Sequence, residues 1–183
     1  MTAARAALRA RTRALHDDVD RRFGGFDLAC PDNYARFLRA HAAAFLPVEA
    51  ALETAGIVDL LPDWPARRRG ERLRADLIAM DVPLPPALAS PPRLGSEAAL
   101  LGAAYVLEGS RLGGALLARQ VAPGLPRDYL AAPQPPGGWR MLLEKLEATL
   151  YDEDRIAAAT IAASAVFASF AAAAEEEGRR PLQ

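Results

Sequence analysis

The sequence predicts an all-α fold: one domain over residues 1–183, built as a bundle of about six to seven helices. Three observations lead there. Apolar residues recur at spacings of three, four and seven in stretch after stretch. No segment alternates apolar and polar with β-branched enrichment, as a strand would. Proline and glycine clusters fall between the periodic stretches and punctuate them. A chain of 183 residues that is 51% hydrophobic is long enough to bury one sizeable core.

The first helix spans Ala3–Arg22. Leu8, Leu15, Val19 and Phe23 form its apolar stripe, and Arg5, Arg9, Thr12, His16 and Asp20 lie on an adjoining strip. Gly24-Gly25 ends it. After a turn, Pro31 and Asp32 suit a helix start, and the second helix runs Asp32–Ala55 with Tyr34, Phe37, Leu38, His41, Phe45, Val48 and Leu52 inward. Pro47 is expected to kink it and Gly56 to close it. Leu61–Pro65 reads as a loop.

Ala66–Met80 is expected to be a third helix, with Leu73, Leu77 and Met80 as its stripe. Its basic start (Arg67, Arg68, Arg69, Arg72) opposes the helix dipole and calls for solvent exposure or a partner. Val82–Arg93 holds five prolines and reads as a connector inside one helical core. A helix is predicted over Gly95–Val121. Pro123–Gly138 is again a loop. Trp139–Leu150 places Trp139, Leu142, Leu143, Leu146 and Leu150 inward, and Asp152–Glu177 forms a long alanine-rich helix whose large residues are Ile156, Ile161, Val166, Phe167 and Phe170. Residues 1–4 and 178–183 are expected to fray.

Composition excludes several classes. With 22 basic against 23 acidic residues the net charge is -1, which lacks the surplus of a nucleic-acid binder. Cys30 is the lone cysteine, so neither an internal disulfide nor a cysteine-based metal site is expected, and a reducing cytoplasm suits the chain. No uncharged run of about 18 residues is expected, hence no membrane partner. Met1–Arg13 carries arginines with no apolar stretch behind them, unlike a signal peptide.

The helix over Gly95–Val121 contains Tyr105-Val-Leu-Glu-Gly-Ser-Arg-Leu-Gly-Gly114. Each of Gly109, Gly113 and Gly114 costs a helix interior about 1 kcal/mol relative to alanine. Gly109 and Gly113, four apart, share one face that carries no side chain. Either a flat ligand lies there, or another helix packs closely, or the helix bends; the spacing leaves these open. The chain has two histidines. His41 on its apolar stripe reads as a hydrogen-bonded core residue. His16 has Arg9, Thr12 and Arg13 on its own side, which reads either as a solvated face of an amphipathic helix or as a combination that suits one axial metal bond and two carboxylates of a single ligand.

Leu8-Arg-Ala-Arg-Thr-Arg-Ala-Leu-His-Asp-Asp-Val-Asp20 resembles the first helix of heme oxygenases, and Tyr105–Gly114 resembles the distal helix of their bacterial, biliverdin-producing branch. The likeness continues through Asp32-Asn-Tyr34, Phe37-Leu38, Leu46–Glu49, Trp64, Arg72-Leu73 and Asp76-Leu77, to about Leu150. It implies a heme oxygenase-type bundle with a kinked distal helix. It implies His16 as the axial iron ligand, and Gly109, Gly113 and Gly114 as backbone laid over the other heme face with Ser110 beside the bound oxygen. Arg9, Thr12, Arg13 and Tyr105 would hold the cofactor. Arg111 stands where a small polar residue is expected, and Ser110 where mammalian-type enzymes carry an aspartate. The implied reaction opens heme, both cofactor and substrate, to biliverdin, CO and iron with O₂. Electrons come from a donor protein or another reductant, and a bacteriophytochrome is one acceptor for the biliverdin. Two further readings are a protein of this fold that binds heme, bilin or a protein partner without turnover, and a helical interaction protein.

Overall fold

The computed structural model describes residues 3–87 and 92–180, which contain helices and no strand. In order these are α1 (Ala3–Phe23), α2 (Pro31–Thr54), α3 (Ile57–Leu60), α4 (Trp64–Arg67), α5 (Gly70–Ala79), α6 (Glu97–Leu117), α7 (Gly138–Thr149) and α8 (Glu153–Arg179). Local chemistry sets most ends. The Gly24 amide closes α1 on the Asp20 carbonyl at 2.8 Å. Pro31 opens α2 at its first position. Ser96 accepts the Ala99 amide and Asp152 accepts the Arg155 amide, capping α6 and α8. Gly56 turns the chain from α2 into α3 at φ 80°, where a side chain would be strained.

The core is organised on α8. Residues Ile156–Ala174 carry no charge, and the most apolar window of α8 has a mean hydropathy of 1.9, long and apolar enough by composition to cross a membrane. This corrects the expectation that no such run exists. Instead of facing lipid, the helix serves as the common packing partner of α6, α1 and α2. Alanine does this work: Ala159, Ala163 and Ala173 are fully buried, and small side chains let the neighbouring helices come close. Ile161, one of the helix's large residues, is 72% exposed.

The expected helix over Ala66–Met80 is broken at Arg68–Arg69 into α4 and α5. Its basic start is only half solvated: Arg68 and Arg72 are exposed, while Arg67 and Arg69 are buried. The reason lies twenty residues away in sequence. The Glu49 carboxylate accepts the Arg69 amide at 3.1 Å and the Gly70 amide at 2.9 Å, so an anion from α2 sits on the N-terminus of α5. Burial nevertheless pushes the Glu49 carboxyl above its usual range, partly offset by these backbone bonds. Replacing Glu49 with alanine orphans two buried amides and is expected to lower unfolding free energy by about 1–3 kcal/mol in urea titrations. Gln at the position restores part of that; an unchanged midpoint in Glu49→Ala contradicts the capping role.

Fraying was expected at both termini, yet Ala3, Ala4, Gly178 and Arg179 are helical. Ala4 is buried and its amide reaches Glu147 Oε2 at 3.2 Å. The outermost residues, and 88–91 of the proline-rich connector, lie outside the described residues.

Candidate active site

Two helices lie along α8 in the same sense, since Ser96 and Ala98 at the start of α6 share a cavity lining with Asp152 and Arg155 at the start of α8. Arg11 and Arg22 of α1 pair with Glu153 and Glu175 of α8 in matching order, at 2.6 and 3.0 Å. On α6, Gly102 meets the backbone of Ala159. α1 and α6 each pack far more on α8 than on one another, so α8 forms the floor between two walls. The His16 ring from α1 contacts Phe167 edge-on, centroids 5.8 Å apart. Counting seven residues from the Gly102–Ala159 contact, about 10.5 Å of rise, brings Gly109 level with Val166, beside that phenylalanine. His16 contacts Phe167 of α8, and this count along α6 puts Gly109 near the same stretch of α8.

The glycines divide into two kinds. A Cβ on Gly113 meets nothing within 4 Å, and one on Gly109 meets only the Trp139 ring, at 3.8 Å. Gly113 thus packs on no other helix, and Gly109 touches α7 through that ring alone. Beside this bare strip Leu112 and Leu116 are 67% and 60% exposed, so naked backbone is flanked by uncovered apolar side chains. Gly102, unremarked in the sequence, is the packing glycine: its Cβ would run into the Ala159 carbonyl. Gly114 is buried against Leu130, whose oxygen is 3.1 Å from its Cβ position, so it does not share the open face with Gly109 and Gly113. α6 runs as one α-helix through all these glycines.

The other predicted residues separate likewise. His16 is exposed, with Nδ1 3.2 Å from Asp20 Oδ2. Arg9 and Arg13 are exposed on α1, and Arg13 is 3.8 Å from Asp17. Thr12 is buried and donates its hydroxyl to the Leu8 carbonyl at 2.8 Å, so it faces the core. Tyr105 stacks on Trp139, centroids 5.6 Å apart. The Ser110 hydroxyl donates to the Leu107 carbonyl at 2.7 Å and accepts from Arg69 Nη2 at 2.8 Å, an inward engagement. An open cavity of about 290 Å³ near Ser96, Asp152 and Arg155 contains none of these residues.

Behind the bare strip the turn is held by buried charge. Arg111 points away from the strip and donates Nε to Glu108 at 3.1 Å and Nη2 to the Arg67 carbonyl. Arg67 reaches Glu108 at 3.1 Å, Asp63 at 2.8 Å and the Gly138 carbonyl at 2.9 Å. Gln134 gives Glu108 a third donor, at 2.9 Å. The buried Arg67, Glu108 and Arg111 are thus satisfied by one another, by Asp63 and Gln134 and by backbone carbonyls, which such burial demands. Deeper still, Arg69 lies over the rings of Phe45 and Tyr129, and the Tyr129 hydroxyl is 2.9 Å from His41 Nδ1. His41 is the core histidine the sequence suggested, ringed by Phe23, Phe37 and Phe170. Apart from His41, none of this network was read from sequence, because its members are scattered along the chain.

Burial, and then the Arg69 charge, push the His41 imidazole down to about 3. The unfolded chain takes up this proton near 6.5 while the folded chain refuses it, so His41 costs nothing at pH 7 and stability falls as pH drops below that value. The slope approaches about 1.4 kcal/mol per pH unit. Glu49 and Asp76, raised by burial, change stability in the opposite sense on acidification. The His41 contribution is therefore read as a difference: urea midpoints of wild type and His41→Gln are expected to diverge between pH 7 and 5, with the wild type losing more. Parallel curves contradict the neutral, buried assignment.

No family model matches the chain. A curated protein of Xanthomonas campestris pv. campestris (strain 8004), named heme oxygenase, is 36% identical over 154 residues, covering 81% of this chain and 92% of that protein. The chain belongs to the heme oxygenase family. The crystal structure of the NO- and CO-bound heme oxygenase from Neisseria meningitidis superposes with a TM-score of 0.80 at 25% identity, covering 97% of this chain and 92% of that one. This heme oxygenase is thus an oxidoreductase with the family's all-helical fold, and the two walls on α8 are where its fold leaves backbone uncovered.

Proposed function

We propose that this heme oxygenase binds heme between α1 and α6 and opens the macrocycle to biliverdin, carbon monoxide and iron, using O₂ and electrons from an external donor. The observation that carries the reading is the bare strip. Gly113 has empty space where a side chain would be, and Gly109 has only a ring edge. A flat apolar ligand fits against such backbone, and the Leu112 and Leu116 side chains would cover its rim. Heme, when bound, supplies both the iron that activates O₂ and the carbon skeleton that is oxidised.

The chain's own residues divide the remaining tasks. His16 would present Nε2 to the iron, while the Asp20 carboxylate near Nδ1 fixes the tautomer and turns the ring. Arg9 and Arg13, exposed on the same helix, would pair with the propionates. The α6 wall would offer heme glycine backbone, while the Ser110 hydroxyl is bonded inward, so no side chain there would compete as a strong base. That leaves room for water as the proton donor. Electrons would come from a donor protein or small reductant, and a bacteriophytochrome is one acceptor for the product. A reducing cytoplasm suits the lone Cys30.

Ferric hemin added to the purified chain is expected to give a stoichiometric complex with a sharp Soret band. Ascorbate in air then converts that band to a bilin spectrum with release of CO and iron. Absence of a hemin complex overturns the proposal; a complex that never yields bilin reduces it to binding alone.

A further inference from the structure

Along the open face of α6, positions four apart read Tyr105, Gly109, Gly113 and Leu117. Side chains stand at the two ends and vanish between them, over about 18 Å of helix rise. The Tyr105 end is built more heavily than the face alone requires. The Tyr105 ring stacks on Trp139 with planes 29° apart. The far edge of the same indole, Cη2, comes to 3.8 Å from the Cβ position of Gly109. From the opposite wall, Arg5 of α1 lays its guanidinium 5.7 Å from the indole centroid, with a buried Nε that has no hydrogen-bond partner. Three helices thus contribute one residue each to a stack that closes one end of the gap.

We propose that Trp139 is a specificity-determining residue of the ring-opening reaction, and this rests on the heme reading above. Its indole edge is the stop against which one edge of the macrocycle comes to rest, and that contact sets the in-plane position of the heme. The in-plane position decides which meso carbon lies under the Gly109–Gly113 backbone, where oxygen is confined. Tyr105 and Arg5 hold the indole from either side, so they act through Trp139.

The test compares wild type, Trp139→Ala, Trp139→Phe and Arg5→Ala as ferric hemin complexes. Proton NMR of the heme methyls reports in-plane orientation without turnover, and chromatography of the bilin isomers reports the carbon attacked. The expected result is one dominant methyl pattern and isomer in wild type. In Trp139→Ala the minor isomer rises several-fold with a second methyl pattern, and Trp139→Phe and Arg5→Ala show smaller shifts in the same direction. If Trp139→Ala does not fold, the Phe and Arg5 variants decide. Variants that bind hemin yet return the wild-type methyl pattern and isomer composition overturn the stop. A wild-type chain that binds no hemin overturns the heme reading and the stop with it.

Discussion

Replacing His16 with alanine is expected to abolish the axial heme complex, with hemin affinity falling by at least about 100-fold and bilin formation lost. The fold should not notice. The His16 side chain is 58% exposed, and its contacts are the Phe167 edge and the Asp20 carboxylate. Unfolding free energy is therefore expected to change by no more than about 0.5 kcal/mol, as at ordinary surface positions. Free imidazole should occupy the vacated volume and restore a Soret band, which separates lost ligation from lost structure. Asp20→Asn leaves the ring in place but removes the anion beside Nδ1, so a milder loss of about 10- to 100-fold is expected. A sharp Soret band that survives His16→Ala without added imidazole sinks the axial assignment.

The second large effect is a dissociation between two glycines of α6. At Gly102 any side chain enters the Ala159 backbone, which has no rotamer with which to yield. Gly102→Ala must push α6 off α8, at about 1–3 kcal/mol or more, and should lower thermal stability whether or not heme is present. Gly113→Leu faces open space. Its removal of a helical glycine should raise the stability of the heme-free chain by about 0.5–1 kcal/mol. Yet the leucine fills the place proposed for the macrocycle, and hemin binding and ring opening should both collapse. Intact hemin binding and turnover in Gly113→Leu remove the case for a ligand on that face.

These two glycines also mark how far sequence reading goes. Gly109 and Gly113 stood out because they share a face, but Gly102 is chemically identical, and only its partner on α8 shows that it packs a helix. Helix starts and ends were legible wherever the signal is local, as with Pro31, Gly24-Gly25 and the Asp152 cap. The break between α4 and α5 was not, because its cause is a carboxylate on another helix. Arg111 looked like an intruder in the distal segment. Its α-helical position, about 200° round from Gly109, sends it instead to Glu108 and the Arg67 carbonyl. At the site, His16 and the bare glycines were legible as residue types in a spacing. Trp139 and Phe167 were not: each reads as an ordinary core residue until the fold sets it beside Gly109 or His16.

The helix that both walls rest on comes after them in the chain. While a ribosome adds residues at roughly 5–20 per second, α1 and α6 emerge well before α8 exists to hold them apart. Until then the arginines of α1 that pair with Glu153 and Glu175 lack their partners, and Gly102 has no backbone to meet. A nascent chain therefore owns the histidine and the glycines but not the gap between them. On the proposed reading, a heme site between α1 and α6 would form only once α8 has been made.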